Sequence, residues 1–229
     1  MKKNIIITGA AGNLGQAAVT KFLSEGYRVI AMVSPGKKQD QPVAGVIRVE
    51  ADLTNEEDVE AAIQKAFTPG ETIDAALLLA GGYSGGDIYK TDGASLKKMY
   101  ALNFETAYFV ARPVFRQMMK QPSGGRIVLV GARPALKARD GKSSLAYALS
   151  KSLVFKLAEY LNAEGATRNV TCTVIVPSTI DTPSNRASMP QADFSSWVTP
   201  EAIANVMAFA VSEKAGPLRE TILKMYGYA

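Results

Sequence analysis

The amino-acid sequence predicts a doubly wound α/β fold, a three-layer α/β/α arrangement around a mostly parallel sheet of about seven strands. Three observations predict it. Short apolar runs alternate with longer stretches of helical spacing from the first residues onward. The first run closes on a glycine-rich turn that opens directly into a helix. Hydrophobic residues make up 47% of the 229 positions, enough to cover both faces of a buried sheet.

The elements follow in order. Lys3–Thr8 is a short apolar run closed by glycine and predicts a buried strand. Asn13–Ser24 places Leu14, Ala17, Ala18 and Phe22 at helical spacing, and Gly26 stops it. Tyr27–Val33 and Val46–Glu50 predict the second and third strands. Asn55–Ala66 is an amphipathic helix, with Thr54 as the expected cap and Glu57 three residues on. Ile73–Ala80 predicts a fourth strand and Ala94–Lys120 a long helix, with Pro113 as the place for a bend. Gly125–Val130 is a strand, Ser144–Glu164 a second long helix, and Val170–Val176 a strand. Pro200–Ser212 reads as a helix and Glu220–Met225 as a last strand. Right-handed crossovers between such strands make the sheet parallel. The whole chain, 1–229, reads as one domain without linker or repeat, and 179–198 is the longest stretch lacking periodicity, in the manner of an active-site lid.

Composition excludes several chemistries. There is no histidine, which removes Ser-His-Asp and Cys-His mechanisms and histidine-ligated metals. The one cysteine, Cys172, has no partner for an internal disulfide and sits in an apolar run, as a buried filler would. The net charge of +5 is scattered rather than gathered into a stripe, so no nucleic-acid partner is expected. No run of about 18 apolar residues exists, so no membrane span is expected. Met1-Lys2-Lys3-Asn4 leads straight into Ile5-Ile6-Ile7, too short for a signal-peptide core, and a cytoplasmic protein is expected.

A doubly wound sheet binds its ligand beyond the carboxyl ends of the strands. After the first strand stands Thr8-Gly9-Ala10-Ala11-Gly12-Asn13-Leu14-Gly15. Gly9 permits a tight turn, Gly12 lets backbone approach a pyrophosphate, and Gly15 lets the helix pack on the strand. The helix N-terminus, through Asn13 and Leu14, adds N–H donors and a partial positive charge. After the second strand an acidic side chain would accept from the 2′-hydroxyl of NAD. This chain has Ser34 there, followed by Lys37 and Lys38, which suits the 2′-phosphate of NADP, with NAD left open. Asp52 and Leu53 after the third strand stand where an adenine would be met, although Asp52 could equally begin the next helix cap.

Tyr147 and Lys151 lie one helical turn apart and share a face. A nearby ammonium favours tyrosinate and is expected to draw the phenol pKa toward neutrality. On these pieces the chain resembles the short-chain dehydrogenase/reductase family: the Thr8–Gly15 turn, Asp52, Ala80-Gly81-Gly82, Asn103, Tyr147 with Lys151, and Pro177 through Thr182. The resemblance implies a Rossmann-type fold, an NAD(P)-dependent oxidoreductase and a homodimer or homotetramer formed through the two long helices. It implies that Asn103 supports a water relay to Lys151, that Lys151 also holds the nicotinamide ribose, and that Pro177, Thr179 and Thr182 bound the nicotinamide. Asn103 could otherwise be a helix-bend residue and Thr182 a turn cap.

The string from Asp181 through Trp197, with Arg186, Met189 and Phe194, is similar to the lid of dihydropteridine reductases, and Ala80–Gly86 is similar to their loop carrying an aromatic near the Tyr83 position. Tyr83, Met189, Phe194 and Trp197 are candidates to cover a substrate or to pack a lid. The family's substrate-orienting serine is replaced by Ala132, as it is in dihydropteridine reductases, and Ser143 or Ser144 is the candidate substitute. Ser178 replaces a usual glycine, and Ser34 replaces the acid of an NADH-preferring pteridine reductase. The expectation is hydride transfer to a conjugated acceptor such as a quinonoid dihydropterin. The alternatives are a reductase of other carbonyls or quinones, and a non-catalytic NADP-sensing regulator.

Overall fold

A computed structural model describes residues 2–37, 43–68 and 70–228. Its seven strands are β1 (Asn4–Thr8), β2 (Arg28–Val33), β3 (Val46–Glu50), β4 (Ala75–Leu78), β5 (Gly125–Val130), β6 (Val170–Pro177) and β7 (Ile222–Met225). They form one sheet in the order β3-β2-β1-β4-β5-β6-β7, parallel throughout. The order reverses between β1 and β4, which opens the ligand crevice at their carboxyl ends.

Alternation along each strand sends successive side chains to opposite faces. Ile5 and Ile7 pack with Phe22, Val128, Ile203 and Met207 beneath α1 (Asn13–Ser24) and α9 (Pro200–Val211). Ile6 packs the other way, with Ile30, Val114, Leu129 and Val154, against α2 (Glu56–Ala66), α4 (Thr106–Met118) and α7 (Leu145–Gly165). Ile5, Ile6 and Ile7 are all fully buried, as a central parallel strand requires. No helix among the described residues is long and apolar enough to cross a membrane.

The structure corrects two local expectations and adds two short helices. The cap of α2 is Asn55, whose side chain accepts from the amides of Glu57 and Asp58, while Thr54 turns back to Asp52. The long helix expected over 94–120 is divided into α3 (Gly93–Tyr100) and α4 by a π-helical turn, Ala101–Glu105; Pro113 lies inside α4. The stretch between β5 and α7 contains two single-turn helices, α5 (Arg133–Leu136) and α6 (Ala138–Gly141), too short to leave a periodic signal.

Candidate active site

The glycine turn is built around the end of β1. Thr8 Oγ1 accepts from the amides of Leu79 (2.9 Å) and Ala80 (3.1 Å), joining the carboxyl ends of β1 and β4. Gly9 has φ +62°, and a Cβ there would lie 3.1 Å from Ala80 N. A Cβ on Gly15 would stand 2.1 Å from Gly9 O, so only glycine lets α1 begin so close to the strand. Gly12 occupies the cap position of α1 without a side-chain cap, and no acidic residue stands in the first turn. The first-turn amides of Asn13, Leu14 and Gly15 are therefore left to an anion, which is the fit a pyrophosphate requires. Gln16 reaches back to Ala11 O. Across from this turn, a cleft of about 800 Å³ between α1, α9 and α8 (Pro183–Ser188) is lined by Asn13, Gln16, Pro183 and Arg186.

The segment after β2 is a tight turn. Lys37 N donates to Ser34 O (3.3 Å) across Pro35-Gly36, with φ +74° at Gly36, the pattern of a type II turn. Lys38 lies outside the described residues. Asp52 Oδ1 accepts from both the amide and the hydroxyl of Thr54, which holds its carboxyl below the ordinary carboxylate range. Leu53 beside it is buried. Sequence reasoning missed two residues of this region. Arg48 donates through Nη2 to Lys37 O and to Glu50 Oε1 (3.0 Å), and Glu50 Oε2 accepts from Gly36 N (3.3 Å). The available signal was a pair of charges on one face of a strand whose other positions are apolar.

At the other end, Asn103 and Lys151 are both buried, 1% and 6% exposed. Asn103 lies in the π turn; its Oδ1 accepts from Gly82 N (3.0 Å) and its Nδ2 donates to Ser150 Oγ (3.1 Å). Ser150, which the sequence reading passed over, donates in turn to Tyr147 O (2.8 Å). A Cβ on Gly81 would meet Asn103 Oδ1 at 2.7 Å and Lys151 Nζ at 3.5 Å. Ala80-Gly81-Gly82, Asn103, Tyr147 and Lys151 are thus brought together. Lys151 Nζ donates to Val130 O (2.8 Å), and burial pulls its pKa down to about 8.

Tyr147 differs from expectation. Burial first, and then the neighbouring Tyr83, push its pKa up to about 12. Lys151, directed at Val130 O, does not offset this. A phenol so placed is protonated at neutral pH and is equipped to give a proton. The Tyr83 ring meets Tyr147 edge to face, with centroids 5.0 Å apart, and is itself 68% exposed.

In the segment 179–198, Thr182 Oγ1 caps α8 by accepting from Asn185 N (3.2 Å), which leaves its proton to donate. Asp181 and Arg186 form a two-pronged ion pair (2.6 and 2.7 Å), and Arg186 lies over the Phe194 ring. Trp197 packs on Phe194, while Met189 is exposed. Pro177 ends β6, Thr179 O accepts from Val198 N, and Ser178 is tied to β7 through Met225 O and Tyr226 O. Ser178 has no positive φ, so the loop does not demand a glycine there.

Ala132 is buried, extended, and precedes α5 as its cap residue. Ser143 O accepts from Gly86 N (2.8 Å), and Ser144, also buried, precedes α7 by one position. Gly86 thus bonds the backbone on either side of Ser144, through Ser143 O and Leu145 N, at the head of the helix that carries Tyr147.

The fold and the glycine turn define a protein built to hold a dinucleotide. Comparison narrows the class: the family profile described as short chain dehydrogenase matches residues 3–193, and the chain belongs to that family. It is 28% identical over 228 residues to a dihydropteridine reductase of Dictyostelium discoideum, spanning 98% of this chain and 94% of that one. It is 29% identical over 194 residues to an acetoacetyl-CoA reductase of Acinetobacter sp. (strain RA3849), spanning 80% and 76%. The solved structure "ElxO with NADP Bound" shares the fold with a TM-score of 0.90 at 22% identity, over 100% of this chain and 99% of that one.

Proposed function

We propose that this enzyme reduces a conjugated, planar acceptor of the quinonoid dihydropterin kind, with NADPH preferred over NADH. The observation that carries the reading is the Tyr83–Tyr147 pair: an aromatic ring packs edge to face with the proton donor, and Ala132, where the family carries its orienting serine, offers no hydroxyl to a simple carbonyl. A flat ring system is held by such a wall, and an acceptor whose charge spreads over a conjugated ring depends less on one positioning donor. The near full-length similarity to a dihydropteridine reductase supports the same substrate class.

A bound reduced nicotinamide dinucleotide supplies the hydride. The chain's part is to hold it and to move one proton. The amides of Asn13, Leu14 and Gly15 would hold the pyrophosphate, Ser34 and Lys37 the adenosine ribose, Asp52 and Leu53 the adenine, and the Thr182 hydroxyl the carboxamide. Tyr147 gives its proton to the reduced acceptor. Lys151, whose pKa burial lowers to about 8, takes part in replacing that proton, and Asn103 and Ser150 brace the helical turn that carries Tyr147. Pro177 and Thr179 border the nicotinamide side, and Met189 and Trp197 the acceptor side.

The helix faces support a homodimer. Tyr100, Phe104 and Tyr108 form an aromatic ladder along α3 and α4, with centroids 5.2 and 6.0 Å apart, and Leu149 and Tyr160 of α7 are exposed beside solvent.

The test is oxidation of NADPH with quinonoid dihydropterin, set against a panel of ketones, thioesters and quinones. We expect the pterin to give the highest kcat/KM. A higher value with a ketone or thioester would displace the pterin reading, and no oxidation with any acceptor would favour a nucleotide-sensing role.

A further inference from the structure

The turn that faces the adenosine ribose is not held by its own residues alone. It sits on β3, the edge strand beside β2, through the pairing of Ala31 with Arg48 and Val33 with Glu50. Val49 packs into the core between α2 and the sheet, so its neighbours Arg48 and Glu50 project from the opposite face. Both side chains reach the Ser34–Lys37 turn. Glu50 receives Gly36 N on one carboxylate oxygen and Arg48 on the other, while Arg48 also binds Lys37 O. An acidic group therefore does stand at this turn, supplied by β3 instead of the end of β2, and a guanidinium lies against it.

We propose that Arg48 and Glu50 form the charge pair that sets which nicotinamide dinucleotide this chain takes. The proposal rests on the NADPH reading above. A lone carboxylate at this turn accepts from a ribose 2′-hydroxyl and repels a 2′-phosphate. Arg48 neutralises that carboxylate and adds a planar donor whose remaining N–H groups suit phosphate oxygens. The pair is part-exposed, with side-chain exposures of 22% for Arg48 and 49% for Glu50, so a ligand can reach it. Glu50 is held below the ordinary carboxylate range by Arg48 first and by Gly36 N second, so it is charged throughout the neutral range with the Arg48 guanidinium against it. The two residues thus act with opposite sign on a phosphate at the ribose.

The test measures dissociation constants by calorimetry for adenosine 2′,5′-bisphosphate and adenosine 5′-monophosphate, probes that need no turnover. Loss of a charge-assisted contact is worth roughly tenfold in affinity. Arg48→Gln should lower the preference for the bisphosphate by roughly that factor, and Arg48→Lys should retain most of it. Glu50→Gln should raise the preference by several-fold. Shifts of the same sign in Arg48→Gln and Glu50→Gln, or shifts within twofold in both while Arg48→Lys melts as the parent does, would overturn the inference. An unsubstituted chain that binds the monophosphate more tightly would defeat the NADPH reading. The charge pair would still stand in that case if the two variants moved the preference in opposite directions.

Discussion

At the catalytic end of the crevice, Asn103 and Lys151 are buried, and each polar atom has a backbone or side-chain partner within the fold. At the adenosine end, Arg48 and Glu50 are part-exposed and lean on a turn made by Pro35 and Gly36. The contrast is one of dielectric. Buried groups interact strongly and tolerate little change, because a lost partner leaves an unsatisfied polar atom in the core. Exposed charges interact weakly, through water and salt, and can be retuned without disturbing the fold. The proposed chemistry thus falls where geometry is rigid, and the proposed selectivity where charge can be adjusted. The largest effects of substitution should therefore fall at the buried end.

Tyr147→Phe probes that end most directly. The Tyr147 hydroxyl has no hydrogen-bond partner among the described residues, so its removal orphans nothing in the fold. General acid catalysis contributes about 10²–10⁴-fold, and we expect kcat to fall by that order with NADPH affinity and thermal stability nearly unchanged. Full turnover in this variant would remove Tyr147 from the chemistry and leave its contact with Tyr83 as packing.

The next effect is one of pH. Burial lowers Lys151 from 10.5 to about 8. Between those values the unfolded chain carries a proton that the folded chain has released, so stability rises with pH across that window. Tyr147, raised from 10.0 to about 12, acts in the opposite sense: the folded chain keeps a proton that the unfolded chain has lost, and stability falls as pH rises from 10 to 12. Denaturant titrations of the parent and of Lys151→Met should show the first slope in the parent alone, with a size of up to about 3 kcal/mol. Reductase activity should also decline above about pH 8 as Lys151 loses the proton it would supply. A parent whose stability is flat between pH 8 and 10.5 would place the ammonium in contact with solvent and weaken the contrast between the two ends.

The two ends also differ in how far the sequence displays them. Parallel strands buried on both faces read as short apolar runs, and Ile5, Ile6 and Ile7 carry that signal plainly. The glycine turn is legible because Gly9 and Gly15 answer to steric contacts that only glycine meets. The π turn over Ala101–Glu105 is not legible, because the phase shift of one widened turn lies within the scatter of an apolar helical pattern. Thr54 and Asn55 are adjacent cap-forming types, and what separates them is side-chain geometry: Asn55 accepts from Glu57 N and Asp58 N while Thr54 turns back to Asp52. Arg48 and Glu50 enter through strand register with β2, which local pattern does not encode. The raised pKa of Tyr147 depends on where Lys151 points, and a helical spacing fixes the shared face but not the hydrogen bond to Val130 O.

The smallest effect, and the one most specific to this chain, is expected at Ala132→Ser. The position is a cap: Ala132 precedes α5, its carbonyl accepts from Ala135 N at 3.0 Å, and its side chain makes no cap bond. A hydroxyl introduced there finds Ala135 N as its nearest local partner, since Pro134 has no N–H to give. Capture by the helix should raise stability by about 0.5–1 kcal/mol and hold the hydroxyl away from substrate. Pterin turnover should therefore change by less than about twofold, and ketone reduction should gain less than the factor of about 10²–10³ that a full positioning donor is worth. A gain of that full size in ketone reduction, without added stability, would mean that the hydroxyl faces the acceptor. The site would then lack only this one group for simple carbonyls, and the aromatic wall of Tyr83 would not be what selects the substrate.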